Sequence, residues 1–295
     1  MKRLLRSDGF DVIVVGSGLA GLSAALTVAE FGYSPVILEK ACEPGGLTCR
    51  AYGFFNAADA RRQIALGIDD SPEKHLRQAL EVSRGKAREP LMRTLCYEAY
   101  STLQWLEALG LEFEPGIRRV LGGVYPRTHM PLRGAGEAYL SALRSALRPF
   151  GVPIVCNAEV TALRKSGDAV TGVEGLLSGE PFRLTSRLGV VLAGGGFSRN
   201  MEMMRLYAPG LSDVLPPLTK VRTGVSFRPL PTSARRSWAC PISRSDSLRP
   251  RSVFRGIRPT TSSSTREANA SCARTVADPR SPRPSSDSRT AWPGW

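Results

Sequence analysis

A chain of 295 residues with 42% hydrophobic content is long enough for one or two domains with a real core, which excludes a wholly disordered protein. Its six cysteines (42, 49, 96, 156, 240 and 272) show neither CxxC nor metal-ligand spacing, so they read as reduced thiols of a cytoplasmic protein, and no metal site is assigned. The formal charge of +14 points to nucleic acid only if it is spread along the chain, and it is not.

The leading MKRLLRSDGF is basic, but the apolar stretch behind it is interrupted by Asp11 and a glycine turn, so neither a signal peptide nor a transmembrane segment is expected. From Asp11 to Lys40 the sequence spells one dinucleotide-binding βαβ unit. A strand is predicted over Val12–Val15, running into Gly16-Ser17-Gly18-Leu19-Ala20-Gly21. Gly16 permits the tight turn, Gly18 lets backbone approach a pyrophosphate, and Gly21 lets the next helix pack on the strand. That helix is predicted from about Leu22 to Glu30, its free N–H groups and positive dipole end facing the phosphates. A second strand over Pro35–Leu38 ends at Glu39, where an acceptor for ribose hydroxyls is expected. A carboxylate there repels a 2′-phosphate, so NADP is disfavoured against FAD or NAD.

The next segment separates those two. Gly45-Gly46-Leu47-Thr48 and Gly53-Phe54-Phe55-Asn56-Ala57-Ala58 resemble the flavoprotein family of fumarate reductases, succinate dehydrogenases and 3-ketosteroid dehydrogenases, with Phe54 where that family usually carries glycine. The resemblance continues through Thr102–Gly110, Gly122–His129 and Gly134-Ala135-Gly136, and it ends with the strand into Ala193-Gly194-Gly195-Gly196-Phe197. It implies a Rossmann-like α/β domain binding FAD through Gly16, Ser17, Gly18, Ala20, Gly21, Glu39, Lys40, Gly45, Gly46, Leu47, Thr48, Val160, Ala193, Gly194 and Gly195. The resemblance also implies that backbone around Asn157-Ala158-Glu159-Val160, after a strand over Val152–Cys156, meets the adenine ring. Some relatives attach FAD to a histidine, and Leu47 at that position implies non-covalent FAD. Phe54 is bulky enough to crowd a flavin ring.

Two helices are predicted at about Pro90–Ala108 and Glu137–Leu147, and the first places Leu91, Leu95, Tyr100, Leu103 and Leu106 at helical spacing, read as core. Of the two histidines, His75 lies in a charged stretch and reads as a solvated helix residue. His129, two residues after Arg127, reads equally as loop-ordering or catalytic.

Residues 223–295 change character. They hold 13 Arg, no Lys and 4 acids, a net +9 of the total +14, with 15 Ser and 9 Pro, while Leu, Ile, Val and Phe supply 9 of 73 positions. Such a composition buries too little apolar surface to fold, and disorder is expected. Two other readings stand beside that one. An Arg/Ser-rich tail can bind RNA, but no repeats or interleaved aromatics support it. A shifted reading frame in a GC-rich gene also yields this composition. Arg236 to Arg244, RSWACPISR, can be encoded so that reading from each third base gives LVGMPYIK, in which the Trp238–Ala239 junction forces the glycine.

The sequence thus predicts residues 1–222 as the FAD-binding part of a fumarate reductase/succinate dehydrogenase-type oxidoreductase, with a tail at 223–295 and the capping domain missing. Intact relatives move a hydride between flavin and a carbon–carbon bond of a small substrate, a dicarboxylate or a steroid-like enone, with a redox partner protein possible and no nucleic acid expected. Their catalytic residues lie beyond the second glycine motif, so none is assigned here. The alternatives are an NAD-binding Rossmann oxidoreductase and a non-enzymatic protein whose basic tail contacts nucleic acid.

Overall fold

The computed structural model describes residues 9–119, 125–197 and 200–207. The expected tail at 223–295 and the Gly122-Gly123-Val124 segment lie outside the described residues.

The chain opens with β1 (Val12–Val15), α1 (Leu19–Glu30) and β2 (Pro35–Leu38). Two short strands, β3 (Phe55–Asn56) and β4 (Thr128–His129), flank the helices α2 (Ala60–Ala65), α3 (Pro72–Ser83) and α4 (Glu89–Ala108). Then come α5 (Ala135–Leu147), β5 (Ile154–Val155), β6 (Ala158–Ser166), β7 (Ala169–Leu177), β8 (Glu180–Thr185), β9 (Gly189–Leu192) and α6 (Met201–Tyr207). The central sheet is parallel, with strand order β5-β2-β1-β9 and Val12 in register with both Pro35 and Gly189. Both faces are covered, which explains why β1 and β2 read as unbroken apolar runs rather than alternating ones.

On one face Val14 and Ile37 pack with Leu22, Ala25 and Leu26 of α1 and Leu140, Leu143 and Leu147 of α5. On the other, Ile13, Val15, Val36 and Leu38 meet Val160, Val173, Leu177 and Leu184 from an antiparallel meander, β6-β7-β8. Each fully buried leucine in these layers contributes on the order of 1.5–3 kcal/mol. The meander was not among the predicted elements. Helix α1 begins three residues before the predicted start, because Gly18, extended at φ −72° and ψ −173°, serves as its N-cap. The strand predicted over Val152–Cys156 shrinks to β5.

One predicted core face is corrected. In α4 the buried residues are Cys96, Ala99, Leu103 and Leu106, whereas Leu91 and Leu95 are 68% and 57% exposed. At about 100° per residue the buried arc centres between Ala99 and Leu103, so Leu95 falls just past its edge and Leu91 about 100° from its centre. Helical spacing identified the helix but not which flank of the apolar stripe faces inward.

Candidate cofactor site

The carboxyl ends of the parallel strands bring four segments together, the position where open α/β sheets bind ligands. Gly16 N–H donates to the Leu38 carbonyl (2.8 Å) and Ala193 N–H to the Val15 carbonyl (2.8 Å), so the first glycine turn sits between the ends of β2 and β9. Gly16 adopts φ +103°, and a Cβ there would lie 2.4 Å from the Ala193 carbonyl oxygen. A Cβ on Gly21 would lie 1.9 Å from the Gly16 carbonyl oxygen, so this glycine is required for α1 to seat on β1. Gly18 differs. Its added Cβ would meet only Thr48 Oγ1 at 3.4 Å and the Gly45 carbonyl at 3.9 Å, ordinary contact distances. The protein does not need glycine at 18 for its own packing. Gly46 approaches from the opposite side, where an added Cβ would lie 4.0 Å from the Gly18 Cα, and nothing lies within 4 Å of a Cβ on Gly195.

The polar atoms are arranged for the same end. The buried Glu39 carboxylate accepts from Ser17 N–H (3.0 Å) and the Ser17 hydroxyl (2.5 Å) on Oε2, and from Ala41 N–H (2.9 Å) on Oε1. Gly45 N–H donates to Ser17 Oγ (2.9 Å), and Leu19 N–H donates to Thr48 Oγ1 (3.1 Å). An α-helix leaves its first-turn N–H groups without intrahelical acceptors. Thr48 satisfies one of these in α1, at Leu19, while those of Ala20 and Gly21 come next on the turn. Leu47 is 42% exposed at the rim, and Lys40 is partly buried beside Glu39. Phe54 turns away to stack on Tyr52 at 5.6 Å.

Val160 lies on β6 opposite Gly175, its side chain in the core. The β6–β7 ladder shifts between Val160 and Ala162, and Ala158 N–H donates to the Glu39 carbonyl at 2.8 Å, which ties this strand to the site.

One histidine departs from its reading. His75 is on α3 as expected but buried, not solvated; burial and the Arg127 charge push its imidazole down to about 4. His129 is fully buried, with Nδ1 3.2 Å from the Arg127 carbonyl and Nε2 3.3 Å from Asp59 Oδ2. Burial, then the Arg62 charge, pushes it also to about 4, against the opposing effect of Asp59. Around them sequence reasoning missed a buried charge network. Arg127 grips Asp70 through Nε and Nη2 (3.0 and 2.8 Å), and Gln63 bridges Asp70 (3.0 Å) to the Pro126 carbonyl (2.8 Å). Arg62 joins Asp59 (2.6 Å) to Glu107 (2.5 Å). Only Asp59, the N-cap of α2, carried a sequence signal, an acid just before an Ala-Arg-Arg run with its side chain on the Arg62 N–H.

A dinucleotide fits the first of these regions: a glycine at 18 that packing does not require, helix-start donors beside it, and a carboxylate at the end of β2. Comparison with known proteins specifies which. Residues 11–219 match the model of the FAD binding domain family. The chain belongs to that family. It is 33% identical over 217 residues to an NADH:fumarate oxidoreductase of Klebsiella pneumoniae (strain 342), covering 73% of this chain and 23% of that protein. Among solved structures it resembles the open conformation of a flavocytochrome c3 fumarate reductase, with TM-score 0.65 and 29% identity over 69% of this chain and 36% of that one. It also resembles 3-ketosteroid-Δ4-(5α)-dehydrogenase from Rhodococcus jostii RHA1, with TM-score 0.64 and 26% identity over 68% of this chain and 49% of that one. The chain thus spans less than half the length of each of these three proteins. The family match decides for FAD over NAD. Among the described residues no helix is long and apolar enough to cross a membrane.

Proposed function

We propose that residues 1–222 form an FAD-binding domain that holds its cofactor non-covalently and serves hydride transfer to or from a carbon–carbon bond of a small conjugated substrate. FAD, when bound, supplies the two-electron carrier for that chemistry. The chain's own residues bind and orient it. Gly18 admits the pyrophosphate, the Ala20 and Gly21 amides and those of Gly46 and Leu47 offer donors, and Glu39 takes a ribose hydroxyl. Thr48 offers its hydroxyl proton, and Ala193, Gly194 and Gly195 line the side nearest β9. The observation that carries this reading is Gly18, whose glycine identity the protein's own packing leaves unexplained.

The named relatives act on fumarate and on a 3-ketosteroid, so the substrate class proposed is an unsaturated dicarboxylate or a steroid-like enone. A redox partner protein and a cytoplasmic location complete the proposal, the latter supported by the unpaired thiols of Cys42, Cys49, Cys96 and Cys156. Residues 223–295 are proposed as a tail outside the domain, and resequencing the codons for Lys220 to Phe227 tests whether their frame is authentic.

The deciding experiment is flavin release. Purified protein saturated with FAD is precipitated with acid; all flavin is expected in the supernatant, identified as FAD by its retention against FMN. A protein that takes up no flavin overturns the reading, and fluorescence on the denatured protein band overturns the non-covalent part of it.

A further inference from the structure

Two hydroxyls connect the glycine-rich turn to the Gly-Gly loop, and they are used in reciprocal ways. Ser17, on the turn, accepts from the loop's Gly45 N–H at 2.9 Å; Thr48, on the loop, accepts from the turn's Leu19 N–H at 3.1 Å. Each segment thereby lends a side-chain oxygen to a backbone donor of the other. The two are not equivalent. A hydroxyl carries one proton, and Ser17 has spent its own on Glu39 Oε2 at 2.5 Å. Ser17 is also fully buried. Thr48 keeps its proton, since its bond with Leu19 is an accepted one.

From this geometry we propose that Ser17 is a positioning residue: its hydroxyl fixes the Gly-Gly loop and the Glu39 carboxylate in one arrangement before the cofactor arrives, and its side chain makes no bond to FAD. The inference rests on the FAD reading above and deepens one part of the expected site, in which Ser17 stood among the cofactor-binding residues.

The same bonds have two consequences. Gly45 and Gly46 sit at φ +127° and +56°, conformations open to glycine. Fixing such backbone costs conformational entropy, which a preformed clasp spends during folding rather than during binding. The carboxylate is also aimed. A carboxylate offers about four acceptor positions; Ser17 N–H and Oγ–H fill those of Oε2 and Ala41 N–H takes one of Oε1. One position is left, on Oε1, so Glu39 presents a single acceptor to the ribose rather than a two-pronged one.

Ser17→Ala tests this, because it removes the hydroxyl from a buried position without adding volume. In the protein without flavin, amide hydrogen exchange at Gly45 is expected to accelerate about 10- to 100-fold, the range for a buried donor losing its only partner. Exchange at Val14 and Ile37 in the sheet should stay unchanged, which a general loss of stability would not allow. Thr48→Val should accelerate Leu19 instead and leave Gly45 slow. With FAD added, Ser17→Ala should bind about 10- to 100-fold more weakly than wild type, on the same ground. Unchanged exchange at Gly45, or equal acceleration across the sheet, overturns the clasp. Unchanged FAD affinity with a faster Gly45 overturns its role toward the cofactor. Failure of the wild type to bind FAD sinks the reading of function instead, and Gly45 exchange still decides the clasp.

Discussion

The glycine end of the parallel sheet and the β3–β4 region are both rich in polar atoms, yet they are built on opposite plans. At the glycine end, hydroxyls and one carboxylate tie backbone segments together, and a glycine stands at 18 where the protein's packing does not require one. Around β4, charges close on charges: Arg127 on Asp70, Arg62 on Asp59 and Glu107, His129 between Asp59 and a carbonyl. A binding site must keep donors uncommitted until the ligand comes. A structural polar core pairs its charges, because each unpaired buried charge is costly, although this one leaves Arg127 Nη1, Gln63 Oε1 and His75 Nδ1 buried without a hydrogen-bond partner. Polarity alone therefore does not mark function; backbone donors gathered beside a glycine turn do, and His129, whose two ring nitrogens both face internal partners, is the poorer candidate.

The sharpest way to break this comparison is Gly18→Val. If the glycine end is a site and not a scaffold, the substitution abolishes FAD retention, while far-ultraviolet circular dichroism and the melting temperature stay near wild type. The contrast is Gly21→Ala, where the new Cβ would strike the Gly16 carbonyl and the fold itself is expected to fail. Equal flavin content in Gly18→Val and wild type would remove the proposed pyrophosphate position.

Arg127→Met probes the other region. The Asp70 carboxylate it abandons is fully buried, so stability should fall by about 3–5 kcal/mol, the usual result of breaking a buried pair on one side. FAD affinity of the fraction that stays folded should be unchanged. A variant as stable as wild type in urea would show that the pair is solvated in practice and the network open.

The pH dependence arises from the same burial. Both imidazoles fall from 6.5 to about 4 in the folded protein, so between those values the unfolded chain binds more protons than the folded one. The stabilisation from neutral histidine is complete above pH 6.5 and is lost as pH falls toward 4. With only two histidines in the chain and ordinary carboxylates titrating near 4, the loss between pH 6.5 and 5 belongs to His75 and His129. Urea midpoints should drop over that interval, and His75→Gln should flatten the slope; an equally steep slope in that variant would assign the protonation elsewhere.

How far each region was legible in the sequence depends on the range of its interactions. The glycine end is local: strand, turn, helix and acid fall within residues 12–39, and the turn's spacing encodes the geometry directly. The meander was missed although Ser166-Gly167 and Ser178-Gly179 mark its turns, with Gly167, Ser178 and Gly179 all at positive φ. The β4 network was illegible for a different reason. Asp70 and Arg127 are 57 residues apart, and nothing in either neighbourhood announces the other. His75 looked solvated because its neighbours Glu73 and Lys74 are charged; a helix buries one face regardless, and Leu76 beside it is 2% exposed. Ser17 stood in plain view inside the motif, but the direction of its hydroxyl depends on Glu39 and Gly45, which only the fold brings to it.

The smallest effect is expected at Thr48, where the two plans come closest to each other. Its hydroxyl caps the Leu19 amide as a serine or threonine N-cap would, though it arrives from a loop 29 residues away instead of from the helix's own start. Thr48→Val keeps the shape and removes the oxygen, so the expected loss is that of a cap, about 1 kcal/mol of stability. In the protein without flavin that loss should be all there is, since the Leu19 amide lies near a surface where water can replace the partner. With FAD present the stability difference should widen, because the variant also lacks the one hydroxyl proton that the clasp leaves uncommitted. Melting temperatures of both proteins with and without excess FAD measure this directly. A difference that does not grow with the cofactor would place Thr48 with the β4 residues, as a group whose bonds are all internal.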